Sequence, residues 1–291
     1  MSDLEIPEMR SLAPAPQASA DTSNDAKIFA FMGAVGGVGV TSLSIQTALS
    51  ARKLLKESGV KDPEVCVIDL DFDCGSVLSH LDLPARLTLD HLRSGAAHID
   101  AAMTSALAVQ HSSNIHVLAT VPALSGNDLV DPSCVLSMMD SASTMYDAVI
   151  LDVPRMWRTW THAAIAAADK FGLITEMTIP SLAAARARSE AITSHQSDVK
   201  PEFILNRYER RALKGSLSEK DAKRALGQKP TATICPDSQS LQDAMNCGQP
   251  VGCVHADSRY VNDVTDLTAM WLGLESEHKK PKTRLWRRRA A

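Results

Sequence analysis

Residues 33–42, GAVGGVGVTS, decide the fold of this chain. They lie between a short apolar run, KIFAFM at 27–32, and an amphipathic stretch, SLSIQTALSARKLLKES at 42–58. This order predicts a glycine-rich loop that leads from a buried strand into a helix. Such a loop wraps its backbone N–H groups around a phosphate, and the helix N-terminus adds the positive end of its dipole. The segment therefore predicts a phosphate-binding site.

The loop departs from the strict P-loop pattern GxxxxGK[ST] at two positions. Ala34 stands where the pattern has its first glycine, and Val40 stands where it has its lysine. Thr41 occupies the position of the hydroxyl that binds Mg²⁺ in that pattern. Taken alone, the segment also fits a glycine-rich turn that only starts a helix, so the rest of the chain must decide between the two.

Six further short apolar runs follow the loop and alternate with helical stretches. Near-continuous apolar character is typical of parallel strands that helices cover on both faces. Together with the first run, they predict a single α/β domain with a doubly wound, mostly parallel sheet. The runs are EVCVIDLD (64–71), NIHVLAT (114–120), DAVILDV (147–153), FGLITEM (171–177), EFILNR (202–207) and TATICP (231–236), and helical stretches include HAAIAAADK (162–170) and SLAAARARSEAITSHQ (181–196).

Carboxylates cluster where two of these runs end. Asp69, Asp71 and Asp73 alternate in CVIDLDFDCG (66–75), and Asp152 ends another run. Alternation along a strand puts side chains on one face, and α/β sheets bind ligands beyond the carboxyl ends of their strands. We therefore expect these carboxylates beside the phosphate loop, where they suit Mg²⁺ or an attacking water. A solvated turn is the alternative for the first three.

The composition indicates a cytoplasmic protein with reduced cysteines. No stretch of the 291 residues approaches the roughly 18 apolar residues that span a membrane, and the acidic start MSDLEIPEMR does not resemble a secretory signal. The six cysteines are scattered without a CxxC pair, which argues against a disulfide framework or a metal site built from thiolates.

The charge is distributed unevenly. The last thirteen residues, KKPKTRLWRRRAA, hold seven Lys/Arg, which leaves 23 basic against 34 acidic residues, or −11, on the rest of the chain. An acidic body does not support nucleic-acid binding, whereas the basic tail suits an anionic membrane surface or is a solubilising end. We divide the chain into a disordered segment at 1–26, the domain at 27–276 and a basic tail at 277–291.

Five segments in a fixed order carry a family resemblance. The sequence resembles the ParA/MinD family of deviant Walker A P-loop ATPases and, within it, the CpaE/TadZ proteins of tight-adherence (Flp/type IVc) pilus assembly. The resemblance covers roughly residues 27–273. It lies in VGGVGVTS (35–42), IDLDFDCGSVLSHLDL (68–83), YDAVILDVPRMWRTWTHAAIAAADK (146–170), FILNRYER (203–210) and ATICPDSQSLQDAMNCGQPV (232–251).

This resemblance implies a site for ATP or ADP with Mg²⁺. The implied phosphate-binding residues are Gly36, Gly37, Gly39, Val40, Thr41 and Ser42. The implied catalytic residues are Asp71, which would position water, and Asp152. The metal would be held by Thr41, Asp69 and Asp152, and the base or ribose would meet Asn206, Arg207 and Asp237.

Two lysines of the family are missing. Val35 stands where a lysine reaches across a dimer interface, and Val40 stands where a lysine neutralises phosphate charge. Hydrolysis depends on such charge stabilisation, so we expect weak or absent turnover. Arg155 or Arg158 is a candidate substitute, with a solvated or interface arginine as the alternative. We expect Trp157 and Trp160 to serve in packing or an interface.

The resemblance implies an assembly and positioning protein of the pilus machinery. We expect a homodimer that contacts pilus or secretion proteins, located in the cytoplasm or peripherally at the inner membrane or cell pole. The alternative is an active ParA/MinD-type ATPase for chromosome or plasmid partitioning or division-site placement, which needs both lysines. A metabolic enzyme of the same superfamily is less consistent with this sequence. A nitrogenase-reductase-like relative would need paired cysteines to bind its metal cluster, and the six cysteines here show no such pairing.

Overall fold

A computed structural model describes residues 26–93, 99–123, 130–209 and 217–274. Within these ranges the chain forms one sheet flanked by helices. The strands are β1 Lys27–Gly33, β2 Val65–Asp69, β3 Val109–Gln110, β4 His116–Leu118, β5 Ala148–Val153, β6 Lys170–Glu176, β7 Glu202–Asn206 and β8 Ala232–Thr233. The α-helices are α1 Val40–Glu57, α2 Val77–His80, α3 Ala101–Leu107, α4 Pro132–Met145, α5 Thr161–Ala166, α6 Ile179–His195, α7 Glu219–Leu226, α8 Ser238–Asn246, α9 Val251–Val254 and α10 Arg259–Leu272, and a 3₁₀ turn covers Leu89–Leu92.

The sheet has the order β3-β4-β2-β5-β1-β6-β7-β8. Every pairing is parallel except that of β3 with β4. The prediction of a single α/β domain with a doubly wound, mostly parallel sheet is confirmed. Because β1 lies between β5 and β6, the segment that follows β1 lies beside the carboxyl ends of both neighbours.

Apolar layers cover the sheet on both faces. Phe29 and Phe31 of β1 point toward α1 and α10, whereas Ala30 and Met32 belong to the core on the opposite face. Burial on both sides explains why the strands read as continuous apolar runs rather than as alternating ones. Trp271 of α10 packs against both phenylalanines, with ring centroids 5.3 and 5.0 Å apart.

Several elements end earlier than the sequence predicted. Strand β2 stops at Asp69 rather than at residue 71, because the chain turns there: Gly75 N–H donates to the Asp71 carbonyl at 2.6 Å. Helix α5 ends at Ala166, and Lys170, predicted as helical, instead starts β6 in register with Phe29. Strand β3 was not predicted, because two residues are too few to show a periodic pattern.

The two predicted tails lie outside the described residues, apart from one position. Ala26, the last residue of the predicted N-terminal segment, is buried, and its N–H donates to Ser143 O at 3.0 Å.

All six cysteines are free. None of the helices in the described ranges combines the length and apolar character needed to cross a membrane.

Gly172 of β6 lies where the core has no room for an added methyl group. A Cβ there would lie 2.7 Å from Ile204 Cδ1 and 2.9 Å from both Phe31 and Trp271. We expect Gly172→Ala to lower the free energy of unfolding by about 1–3 kcal/mol, as overpacked cores do. Urea-induced unfolding measures this change. Lys220→Ala, on an exposed part of α7, is the control and should change stability by less than about 0.5 kcal/mol; equal stability of the two variants would contradict the packing argument.

Candidate functional site

The loop between β1 and α1 has the backbone shape of an anion cradle. Gly37 and Gly39 have φ of 70° and 94°, in the left-handed region that favours glycine. Gly39 is the N-cap of α1; no side chain caps the helix and no acidic residue lies in its first turn. The first N–H groups of α1 therefore meet an incoming anion without a competing carboxylate.

Asn206, at the end of β7, supports this loop through a side-chain hydrogen bond. Its Nδ2 donates to Val38 O at 2.7 Å, and its Oδ1 accepts the Arg207 N–H at 2.9 Å. A Cβ on Gly39 would lie only 2.6 Å from Nδ2, so this glycine is required by packing as well as by its φ. Asn206 is thus a residue that positions the loop. Its contact with a base, implied by the resemblance, stays a prediction.

Three residues predicted to hold a metal come together at the other side of the loop. Asp69 and Asp152 are opposite each other in the parallel pairing of β2 with β5, and both are buried, with 2% and 5% exposure. The Thr41 hydroxyl keeps the pKa of Asp152 lower than burial alone would, and it accepts a hydrogen bond from Ser76 Oγ at 3.3 Å. Ser76 was not predicted, because nothing in the sequence distinguishes it from a turn serine.

Burial controls the ionisation of this carboxylate pair. It raises the pKa of Asp152 well above its ordinary value, and the charge of Asp69 raises it further. Burial likewise raises the pKa of Asp69 to about 7; the Asp71 carboxylate adds to this, while N–H donors such as those of Asp71 and Val77 oppose it. Two adjacent buried carboxylates are costly to ionise together unless a cation compensates them.

This donor set fits Mg²⁺. The described residues contain no group of three or more His, Cys, Asp or Glu side chains arranged to hold a metal alone. Magnesium in nucleotide sites usually has one or two carboxylates, a hydroxyl, waters and phosphate oxygens as ligands. Thr41, Asp69 and Asp152 would supply the protein's part of that shell, and the ion would neutralise charge on the phosphates.

Asp71 and Asp73 do not continue the face of β2, so the prediction of three aligned carboxylates was wrong. The strand ends at Asp69, and the following turn redirects both side chains. Asp71 Oδ1 accepts the Cys74 N–H at 3.0 Å, and Asp73 forms an ion pair with Arg158. Asp71 remains close enough to raise the pKa of Asp69 and Asp152 by its charge. Its role in positioning water stays a prediction.

The segment after β5 lies along the loop. Trp160 is buried and packs against Phe72, with centroids 5.3 Å apart, whereas Trp157 is 40% exposed and meets the His162 ring edge-on at 4.5 Å. Arg155 Nε lies 4.0 Å from the Cβ position of Gly36. Trp160 is thus a packing residue, and Trp157 faces outward.

Beyond β6 and β7 lies a cavity of about 390 Å³ on the side predicted for the base. Arg207, with φ of 52°, borders it and pairs with Glu176 at 2.6 Å. Asp237 is the N-cap of α8, where its carboxylate accepts the Ser240 N–H at 3.1 Å and the Ser258 hydroxyl at 2.6 Å. Burial opposes ionisation of Asp237, but these hydrogen bonds outweigh it and lower its pKa. The described contacts of Asp237 are therefore structural, and its contact with a nucleotide stays a prediction.

The buried carboxylates predict a stability that falls as pH rises. An unfolded aspartate loses its proton near pH 3.9, whereas folded Asp69 keeps it to about pH 7. The native state therefore binds more protons between these values, and the free energy of unfolding decreases across this window. We expect Asp152→Asn, which keeps an oxygen for the Thr41 hydroxyl, to flatten that decrease and to be more stable than the wild type at about pH 8 in EDTA.

Urea unfolding at about pH 5 and about pH 8 measures this effect. Asp198→Asn, at an exposed position, should keep the profile of the wild type. Added Mg²⁺ should restore more stability to the wild type than to Asp152→Asn, because the ion compensates the pair. Identical pH profiles for the wild type and Asp152→Asn would disprove this account of the site.

The known proteins to which this chain is similar include ParA and MinD ATPases. No family model matches the chain. The septum site-determining protein MinD of Thermotoga maritima is 24% identical over 239 residues, 80% of this chain and 83% of that protein. The crystal structure of a ParA family ATPase from Chlorobium tepidum matches with a TM-score of 0.73 at 18% identity, over 83% of this chain and 98% of that one. MinD from Pyrococcus horikoshii, complexed with Mg-ADP, matches with a TM-score of 0.69 at 17% identity, over 87% and 100%.

The fold, the order of the elements around the loop and the sequence similarity to MinD agree with one another. The chain thus has the fold of the ParA and MinD ATPases, and its sequence is similar to that of one MinD protein.

Proposed function

We propose that this protein binds ATP or ADP with Mg²⁺ at the loop after β1 but turns it over slowly or not at all. The observation that carries the proposal is the environment of the two valines. Val35 and Val40 pack against the apolar core on the α1 face, and Val40 Cγ2 lies 3.1 Å from the Cβ position of Gly33. The positions of both family lysines are thus part of the hydrophobic packing, while the cradle and the carboxylates are kept.

The energetic consequences differ for binding and for chemistry. A hydrogen bond to a charged group contributes about 1.5–3 kcal/mol, so loss of the loop lysine weakens ATP binding roughly 10- to 100-fold. The backbone cradle and the magnesium ligands still favour the phosphates. Hydrolysis loses a charge that stabilises the transition state, which costs on the order of 100- to 1000-fold in rate.

The biological role we propose is assembly and positioning of a tight-adherence pilus, as in CpaE/TadZ proteins. The order of the five resembling segments supports this role, and the valines at positions 35 and 40 favour it over an active partitioning or division-site ATPase. Neighbouring genes for a secretion ATPase and pilins would support the pilus role. Neighbouring partition or division genes would support the alternative.

We also propose that the nucleotide face binds a second copy of the chain. Four large apolar side chains are exposed on segments that follow the carboxyl ends of β4, β5 and β6. They are Val121, Met156, Trp157 and Ile179, with exposures from 40% to 73%. Exposed apolar groups on one rim are typical of protein interfaces, and this rim surrounds the phosphate loop.

Restoring the lysine should strengthen the site. We expect Val40→Lys to lower the Kd for Mg-ATP by about 10- to 100-fold, because the ammonium would lie next to the phosphates. Titration calorimetry measures the affinity, and phosphate release measures turnover. Asp71→Ala should remove whatever hydrolysis the wild type or Val40→Lys shows.

Two results would contradict the proposal of a binding site with little turnover. One is rapid Mg²⁺-dependent hydrolysis by the wild type that Asp71→Ala abolishes. The other is a failure of both the wild type and Val40→Lys to bind any adenine nucleotide. Unfolding in urea serves as the control that Val40→Lys still folds, since a lysine replaces a packed valine.

The basic tail, which lies outside the described residues, generates a separate prediction. Each Lys or Arg near an anionic leaflet contributes about 1 kcal/mol, and the last thirteen residues hold seven of them. We expect the full chain to pellet with liposomes rich in phosphatidylserine, less so at high salt, and a chain ending at His278 to stay in the supernatant. Equal pelleting of the two chains would discard membrane attachment through the tail.

A further inference from the structure

The structure places a cation at the mouth of the phosphate loop that the loop itself lacks. Arg155 lies three residues beyond Asp152, on the segment that leaves β5, and its Nε lies 4.0 Å from the Cβ position of Gly36. Apart from Gly36 and its two neighbours in the chain, no other described residue has a heavy atom within 4 Å of that position. We infer that Arg155 supplies, from the same chain, the positive charge toward the terminal phosphate that Val35 and Val40 cannot supply. This inference rests on the proposed nucleotide binding.

The ion pairs of the neighbouring arginines distinguish Arg155 from the other candidates. Arg158 is paired with Asp73, and Arg207 is paired with Glu176 at 2.6 Å. Arg155 forms no salt bridge or side-chain hydrogen bond within the described part of the chain. Its charge is therefore uncompensated, and a bound phosphate is the anion whose site lies next to it.

A second arginine fixes the position of Arg155 and adds to the positive potential. Arg188 of α6 donates from Nη1 to the Arg155 carbonyl at 2.8 Å, which ties the segment after β5 to α6. Burial lowers the pKa of Arg188, and the charge of Arg155 lowers it further, so the two guanidinium groups repel each other. In the described residues neither group has a carboxylate partner, and an anion between or beside them would relieve that repulsion.

The location of Arg155 suits a phosphate rather than a base. It stands between the Asp152 end of β5, where the metal ligands lie, and Gly36 in the first half of the loop. A guanidinium presents a planar fork of donors that matches phosphate oxygens. Because position 36 is glycine, nothing fills the space between the loop backbone and the guanidinium.

The simplest competing explanation is a solvated surface arginine. Such an arginine would contribute nothing to nucleotide binding, and its removal would be silent. That explanation does not require the hydrogen bond from Arg188 to the Arg155 carbonyl, the missing counter-charge, or the position of Nε 4.0 Å from where a Cβ of residue 36 would lie. They are expected if Arg155 serves the phosphates.

The test compares Arg155→Gln with Arg155→Lys and a matched control. We expect Arg155→Gln to raise the Kd for Mg-ATP about 10- to 100-fold, as loss of a charged hydrogen bond does, and to raise the Kd for Mg-ADP much less. Arg155→Lys, which keeps the charge without the planar fork, should recover part of the ATP affinity. The control is Arg186→Gln, which removes the same charge from an exposed Arg186–Glu190 pair on α6 and should leave both affinities unchanged.

A second arm measures Arg155→Gln in the Val40→Lys background. If both cations serve the same phosphates, the effect of Arg155→Gln should shrink when the lysine is present. Unchanged ATP and ADP affinities in Arg155→Gln, with the wild type binding ATP, would overturn this inference and leave the proposed function intact. A wild type that binds neither nucleotide would overturn the proposed function itself. An equal loss in Arg186→Gln would show that only net charge matters and would also overturn the inference.

Discussion

The placement of Asp69 directly opposite Asp152, on neighbouring parallel strands, is the constraint on which this site depends. Two carboxylates buried side by side cost free energy, and the hydrogen bonds around them offset only part of it. The N–H groups of Asp71 and Val77 donate to Asp69, and the Thr41 hydroxyl opposes the rise in the pKa of Asp152. The fold therefore keeps an electrostatic cost that a divalent cation would relieve, which is typical of functional sites rather than of structural cores.

Much of the fold could be predicted because burial on both faces leaves continuous apolar runs in the sequence. The order of apolar runs and helical stretches predicted a mostly parallel sheet. The ends of two runs predicted that Asp69 and Asp152 lie beside the phosphate loop. The two-residue strand Val109–Gln110 left no such signal, because its position depends on antiparallel pairing with β4. The same limit applied to Asp71 and Asp73, whose direction is set by a local turn and not by strand alternation.

Within the site, contacts between distant residues were the least predictable. Asn206 donates to Val38 across 168 positions of sequence, and this contact makes it a support of the loop in addition to its implied role at the base. Arg155 was one of two arginines that the sequence could not separate. Its neighbour Arg158 turned out to be paired with Asp73, and only the three-dimensional arrangement shows that difference.

The packing of Trp271, which is stacked on Phe31 and tilted against Phe29, has a mechanical consequence. Trp271 lies in the last turn of α10, whereas the two phenylalanines belong to the strand that leads into the phosphate loop. Trp271 Nε1 also donates to Glu202 Oε2 of β7 at 3.0 Å, so a displacement of the C-terminal end of α10 acts on β1 and β7 together. The last turn of α10 is thus coupled to the strand that leads into the phosphate loop.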